Sequence, residues 1–439
     1  MVLAGRLERK VAAVSGGQGL NRDREQDIGE QARVPGEPVL DWRAHWQQAG
    51  MPWRVEPEIP EQRQDLLRQR LSIQSDVEHG QYPFKGMRLS RADVEWLLAE
   101  HENGRGPVDW ADPDQRCRDG LDLRGADLSG VDLASLPLAR SRGGLTPDEY
   151  VPISGNHLWN SSQAAINLRG ANLFKSHLEG STLTWAHLED ASFDLAYLQK
   201  ADLSDAYMAG TSLRRAHLSG ANLRFCTFDE RSNLNYAEMA SIAEGCVSVG
   251  DTSWGGANLA LIEWAAIGAL GDEEAAYAAK CDTAKTPAGC LTAYRTAVRA
   301  NRQLAVALLA QGASEESARF AYRANRLERN VLWYSRRYGR YAFNLMLDLL
   351  AGFGYRPVRT LMIYLITIAA FALIYAATTR ASFPEALTFS VTSFHGRGII
   401  GTQTSVSASS AQLSMVEGVL GLVVEAALVA TFAQRFLGR

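Results

Sequence analysis

"ADLSDAYMAGTSLRRAHLSGANLRFCTF", residues Ala201 to Phe228, repeats itself every five residues. The large apolar positions are Leu203, Met208, Leu213, Leu218, Leu223 and Phe228, and two residues before each stands Ala201, Ala206, Thr211, Ala216, Ala221 or Cys226. A period of five fits neither the helical repeat of about 3.6 nor the strand repeat of about 2. The pattern extends back through Leu198, Phe193, Leu188, Leu183, Leu178 and Leu173 to Leu168, which makes thirteen consecutive matches. It predicts a square coil with one pentapeptide per side and two inward residues per side. Stacked coils then bury what one coil cannot. Four sides make a turn of twenty residues, so His177, Tyr197 and His217 should form a column on one face, with His187 on another. At about 4.8 Å per level, two levels separate His177 from His217 too widely for metal bonds of about 2 Å. The column is a surface feature.

A weaker block precedes it in "LDLRGADLSGVDLASLPL", with Leu123, Leu128, Leu133 and Leu138 five apart. The step from Leu138 to Leu168 is a multiple of five, so an insert of about 139–165 is expected to leave one continuous coil. After Phe228 the register slips by one and resumes at Leu234, Met239, Trp254, Leu259 and Trp264, giving a coil over 119–264. "ANLFK", "ADLSD" and "ANLRF" resemble the A-(D/N)-L-x-x motif of the pentapeptide-repeat family. The resemblance implies an all-β right-handed quadrilateral β-helix. Some members of that family imitate DNA and bind gyrase, a role that needs a strongly acidic surface. Ile166 to Glu230 carries eight acidic and six basic residues, and the whole chain has a net charge of −4. Neither figure points to DNA mimicry or to nucleic acid as a partner.

Residues 1–38 are polar and lack an apolar core, so a disordered tail is expected there. "GGQGLNR" (Gly16 to Arg22) lacks the Lys-Ser/Thr of a phosphate loop. Residues 39–118 carry short helical signals and are expected to cap the coil, with Ser90 as an N-cap and Asp93 in the reciprocal position. The five cysteines form no CxxC pair, and Cys226, at an inward repeat position, reads as a buried thiol.

Past Trp264 the period becomes helical. Leu291 to Gly312 and a second segment opened by Ser314 as N-cap predict a hairpin within 265–340 that resembles one tetratricopeptide unit. A single hairpin fits a connector. The basic cluster Arg336, Arg337 and Arg340 follows, and 341–357 reads as an interfacial helix along a membrane surface.

The segment 360–378 is nineteen residues without a charge, and 413–434 is a second apolar stretch that contains Glu417 and Glu425. Both are long enough to cross a bilayer core of about 30 Å. Arg336, Arg337, Arg340, Arg356 and Arg359 precede the first, Arg435 and Arg439 follow the second, and only Arg380 and Arg397 lie between them. That asymmetry predicts a multi-pass cell-membrane protein with both termini cytoplasmic. "PEALTFSVTSF" (Pro384 to Phe394) resembles the pore helix of the two-helix potassium-channel family. "GVLGLVVEAALVATFAQRF" resembles its inner helix, with Gly421 where a hinge glycine is often found. The resemblance covers about Gly354 to Arg439 and implies a two-helix transmembrane pore domain over 358–439, with a re-entrant pore helix and loop at 384–400, assembled as a homotetramer. The filter departs from the family. Thr392, Ser393, Phe394, His395, Gly396, Arg397 and Gly398 stand where a TVGYG-type stretch is expected, so potassium selectivity is not implied. Two placements stay open for Arg397: facing the axis, or turned sideways onto Glu417 or Glu385. His395 is a residue type that titrates near neutral pH. In the second span, Glu417, Gly421, Val424, Leu428 and Thr431 share one stripe expected to line the pore, with Val424 and Leu428 as a constriction and Glu425 at its edge.

The expected function is therefore an oligomeric ion channel, not an enzyme, with no cofactor or metal. Its expected partners are copies of itself, the lipid bilayer, a permeant inorganic ion, and a cytoplasmic protein or ligand acting on the β-helix. The alternative is a membrane-anchored scaffold whose β-helix binds a protein.

Overall fold

The computed structural model describes residues 41–150, 157–282, 286–379, 381–396 and 408–436. The expected tail at 1–38, the "GGQGLNR" stretch, Arg397, Gly398 and part of the insert lie outside the described residues.

The five-residue period builds a coil of parallel rungs. One side runs Arg88, Asp127, Asn167, His187, Tyr207, Thr227 and Ser253, each bridged to the next. Between Asn167 and Thr227 the interval is twenty residues, one full turn. At each corner the chain makes a tight turn, as where Ala171 N–H donates to Leu168 O (3.0 Å). The third turn residue has positive φ: Gly170 at 64°, but also Trp185 at 61° and Leu195 at 60°. An L-residue in that region costs roughly 1–2 kcal/mol. The stacked backbone ladder and the buried pair on every side offset it. Leu168 through Phe228 and their small partners are buried in one continuous core.

The coil starts earlier than the sequence pattern indicated. Phe84 and Leu89, five apart and buried, form its first side, and Arg88 bridges Asp127. The insert also begins later than 139, because Arg142 still bridges both Asp122 and Thr182. The chain leaves after Arg142, forms α4 (Pro147–Tyr150) and α5 (His157–Ala164), and rejoins at Asn167 on top of Asp127. Near the other end, an antiparallel pair β1 (Ala240–Ser241) and β2 (Gly245–Cys246) accommodates extra residues, so Ser248 stacks on Asn222.

Both coil ends are covered. At the first, α2 (Glu61–Leu71) and α3 (Arg91–Gly104), preceded in the chain by α1 (Trp42–Gln48), pack over the opening rungs. Ser90 caps α3: Asp93 N–H donates to Ser90 Oγ, and Ser90 N–H donates to the Asp93 carboxylate. At the other end, a 3-10 turn at Trp264–Ala266 leads to α6 (Gly271–Cys281), α7 (Pro287–Ala310) and α8 (Ser314–Tyr334). The α7–α8 hairpin closes the coil. Gln311 accepts from Leu259 N–H (2.8 Å) and donates to Ala257 O (2.6 Å), and Gln303 accepts from Asp251 N–H (3.1 Å). Phe320 meets Trp264 edge-on. Ser314 is not the N-cap that was expected. It is the first helical residue, Ala313 holds the cap position, and the Ser317 hydroxyl donates to Ala305 O across the hairpin.

Beyond the hairpin, α9 (Tyr338–Ala351) packs against α8 and against both long apolar helices, α10 (Pro357–Thr379) and α12 (Ala408–Phe436). Asp348 of α9 accepts from Tyr322 and Arg329 of α8. Within α10 and α12, the stretches Pro357–Thr378 and Ala411–Ala433 are candidate membrane spans. Most of each is exposed, unlike a core helix of a soluble protein: Val358, Ile366, Leu373, Val419, Leu422 and Val429 all face outward.

Candidate functional site

Between the two candidate spans lies α11 (Phe383–Phe394), over the stretch expected to form a pore helix. Its start is fixed by Pro384 in the first turn and by Glu385, whose carboxylate accepts from Ser382 N–H (3.1 Å). Twelve residues make a helix of about 18 Å, too short to cross a bilayer core of about 30 Å. It packs on both α10 and α12 and ends at Gly396, which has positive φ.

A polar cluster pins its inner face. Glu417 of α12 is fully buried and accepts from Ser390 Oγ of α11, which also lies 2.8 Å from Ile368 O of α10. Ser414 Oγ lies 2.9 Å from Ser393 Oγ, and the Tyr375 hydroxyl of α10 faces Ser393, Ser414 and Glu417. One residue or more from each of the three helices thus meets in an otherwise apolar environment, where an unpaired polar group is costly. Ser393 was expected in the filter stretch but lies inside α11, one helical turn after Ser390, which no sequence pattern singled out.

A second cluster sits just past the C-terminal end of α11. His395 Nδ1 lies 2.7 Å from Val391 O, and a carbonyl only accepts, so Nδ1 carries the hydrogen. Nε2 lies 3.0 Å from the Tyr364 hydroxyl of α10 and 3.2 Å from the Glu425 carboxylate of α12. These contacts join the end of α11 to both α10 and α12. Phe394 is buried beside it, against Ile368, Val424 and Tyr364.

The stripe expected to line a pore faces inward within the protomer. Glu417 bonds Ser390, Val424 packs on Phe394 and Ile368, and Thr431 is buried, while Leu428 is half-exposed. Gly421 is a close-approach residue: a Cβ there would lie 2.0 Å from Phe394 O. Thr392 bonds its own helix through Thr388 O. Of the two carboxylates named for Arg397, Glu385 accepts from Ser382 N–H and Glu417 from Ser390 Oγ; Arg397 itself lies outside the described residues.

On the coil, the rings of His177 and Tyr197 stack at 4.5 Å, and those of Tyr197 and His217 at 4.9 Å. The pKa of His177 is raised by its hydrogen bond to Glu179, whereas burial and then Arg169 lower that of His187. Cys226 is buried, its Sγ 3.0 Å from Leu203 O, and burial pushes its thiol pKa up.

Residues 166–205 and 196–235 match the pentapeptide-repeat family, in eight copies. This part of the chain is a pentapeptide-repeat domain. The pentapeptide-repeat domain is similar to Rfr23 from the cyanobacterium Cyanothece 51142, at 22% identity, covering 29% of this chain and 90% of that one, with a TM-score of 0.21. It is also similar to a pentapeptide-repeat protein of the Arabidopsis thaliana thylakoid lumen, at 23% identity over 28% of this chain and 63% of that one, TM-score 0.13. A third similar structure is QnrB1, a plasmid-mediated fluoroquinolone resistance protein, at 20% identity over 32% and 59% of the two chains, TM-score 0.12. Among curated proteins, none matches the chain.

Proposed function

We propose that this chain is a subunit of an oligomeric ion channel in the cell membrane. Its pentapeptide-repeat domain and both termini face the cytoplasm, and α10, α11 and α12 form the conducting part. The observation that carries this reading is α11: a capped helix too short to span, pinned between two candidate spans and ending in a glycine turn. A tether has no need of such a helix, nor of a buried carboxylate to hold it. The C-terminal end of a helix carries partial negative charge, and in a ring of copies the ends of α11 would converge near the axis. By resemblance to two-helix channels the ring is a homotetramer, and the exposed apolar faces of α10 and α12 supply surface for neighbouring copies as well as for lipid. The contact between His395 and Glu425 ties the end of α11 to α12.

The test is single-channel recording from purified full chain in planar bilayers. Unitary currents are expected, and Glu425→Ala, which removes the tie between α11 and α12, should change their open fraction. Electrically silent bilayers containing verified, folded protein would defeat the reading. The departure of the 392–398 loop from the usual filter pattern favours a second reading, a membrane-anchored scaffold. A scaffold would keep its partner binding when 392–398 is scrambled, and a channel would lose its currents.

A further inference from the structure

A hollow of about 260 Å³ opens on the helical hairpin, away from both clusters described above. Its walls carry Arg295, Arg299 and Arg302 of α7, and Arg337 at the bend between α8 and α9. Its floor is apolar, made by Val298, Val331 and Leu332. Arg295, Arg299 and Arg302 are spaced four and three apart, so they project from one face of α7. Four guanidinium groups around one small hollow repel one another, and something must offset them. Glu328 does so for Arg302, at 3.2 Å, and Asp251 does so for Arg299 through a two-point contact at 2.8 Å. Among the described residues, Arg295 and Arg337 have no acidic partner, and both are exposed. Two positive charges are left over beside an apolar floor that excludes water from one side.

We propose that this hollow binds a phosphomonoester dianion. Guanidinium groups grip phosphate oxygens in pairs, and a phosphomonoester carries about −1.5 to −2 at pH 7. That charge matches the surplus of two, which a carboxylate or a phosphodiester would neutralise only by half. The site joins α7 to the residue that begins the bend into α9, and α9 rests on both candidate spans. A bound phosphate therefore ties α7 to the bend that leads into α9. The phosphate can belong to a lipid headgroup or to a soluble metabolite, and the chemistry recognised is the same. The proposal does not rest on ion conduction.

The experiment uses the full chain in detergent, titrated with inorganic phosphate and, separately, with dioctanoyl phosphatidic acid. Binding is followed by calorimetry, and fold is checked by the unfolding midpoint. The expected result is saturable binding that weakens at least tenfold in Arg295→Gln/Arg337→Gln and is largely kept in Arg295→Lys. Phosphate affinity should fall as the pH drops through the second ionisation of phosphate and the dianion is protonated, while affinity for sulfate holds. Tight binding of the lipid with weak binding of free phosphate assigns the site to a headgroup, and comparable binding of both assigns it to a soluble phosphomonoester. No saturable binding of either probe, or equal binding by the folded double variant, overturns the proposal.

Discussion

Glu417 is a carboxylate held away from water, and its hydrogen bond from Ser390 is what makes that position tolerable. Ser390→Ala removes the donor and leaves the acid under-satisfied, which should cost about 1–3 kcal/mol. The unfolding midpoint in detergent reports this, and a variant as stable as the parent would show that the bond is not made. The histidines on the coil make a second point at this scale. His177 and His187 occupy the same repeat slot, yet their neighbours move them in opposite directions. Because Glu179 raises His177, the folded state favours its protonated form. That contribution is complete below the ordinary value of about 6.5 and fades as pH rises through the higher folded value. An NMR titration should find His177 above His187, and Glu179→Gln should bring His177 down. Titration of His177 below its ordinary value would contradict the contact.

At the level of elements, the coil depends on its filled core and its closed ends. Phe193→Ala empties a fully buried site and should cost about 3–5 kcal/mol by chemical denaturation. Gln311→Ala orphans two backbone groups of the last rung, with an expected loss of about 1–3 kcal/mol by the same assay. Gly421→Ala should push α11 off α12, because the atom it collides with is backbone and cannot rotate away. Unchanged stability and unchanged currents in that variant would mean the helices do not meet there. The repeat was legible because inward positions recur too often to be accidental. Its first side, Phe84 and Leu89, was not, since two repeats cut off from the rest by α3 show no periodicity. The helix α6, "GDEEAAYAAKC", went unread because it is alanine-rich and lacks a clear apolar stripe. On α12, Glu417, Gly421, Val424 and Thr431 are all buried within the protomer, an outcome no sequence pattern indicates. Lipid is as apolar as a packed helix, so hydrophobicity does not distinguish the two sides.

For the whole molecule, the helices at each end of the coil are expected to be what keeps it from pairing with other copies. A fragment ending after the 3-10 turn, residues 41–270, presents an open rung and should aggregate on size-exclusion chromatography, whereas 41–335 should elute as a monomer. Aggregation of both would show that α7 and α8 do not seal the coil. One side of that coil carries seven bridged residues from Arg88 to Ser253. Six intervals at about 4.8 Å give a stiff column of roughly 29 Å. It works as a strut of fixed height. A ligand or protein that grips α2 and α3 at the tip would hold a long lever, and its push would reach α7 and α8 as a tilt of the entire shaft.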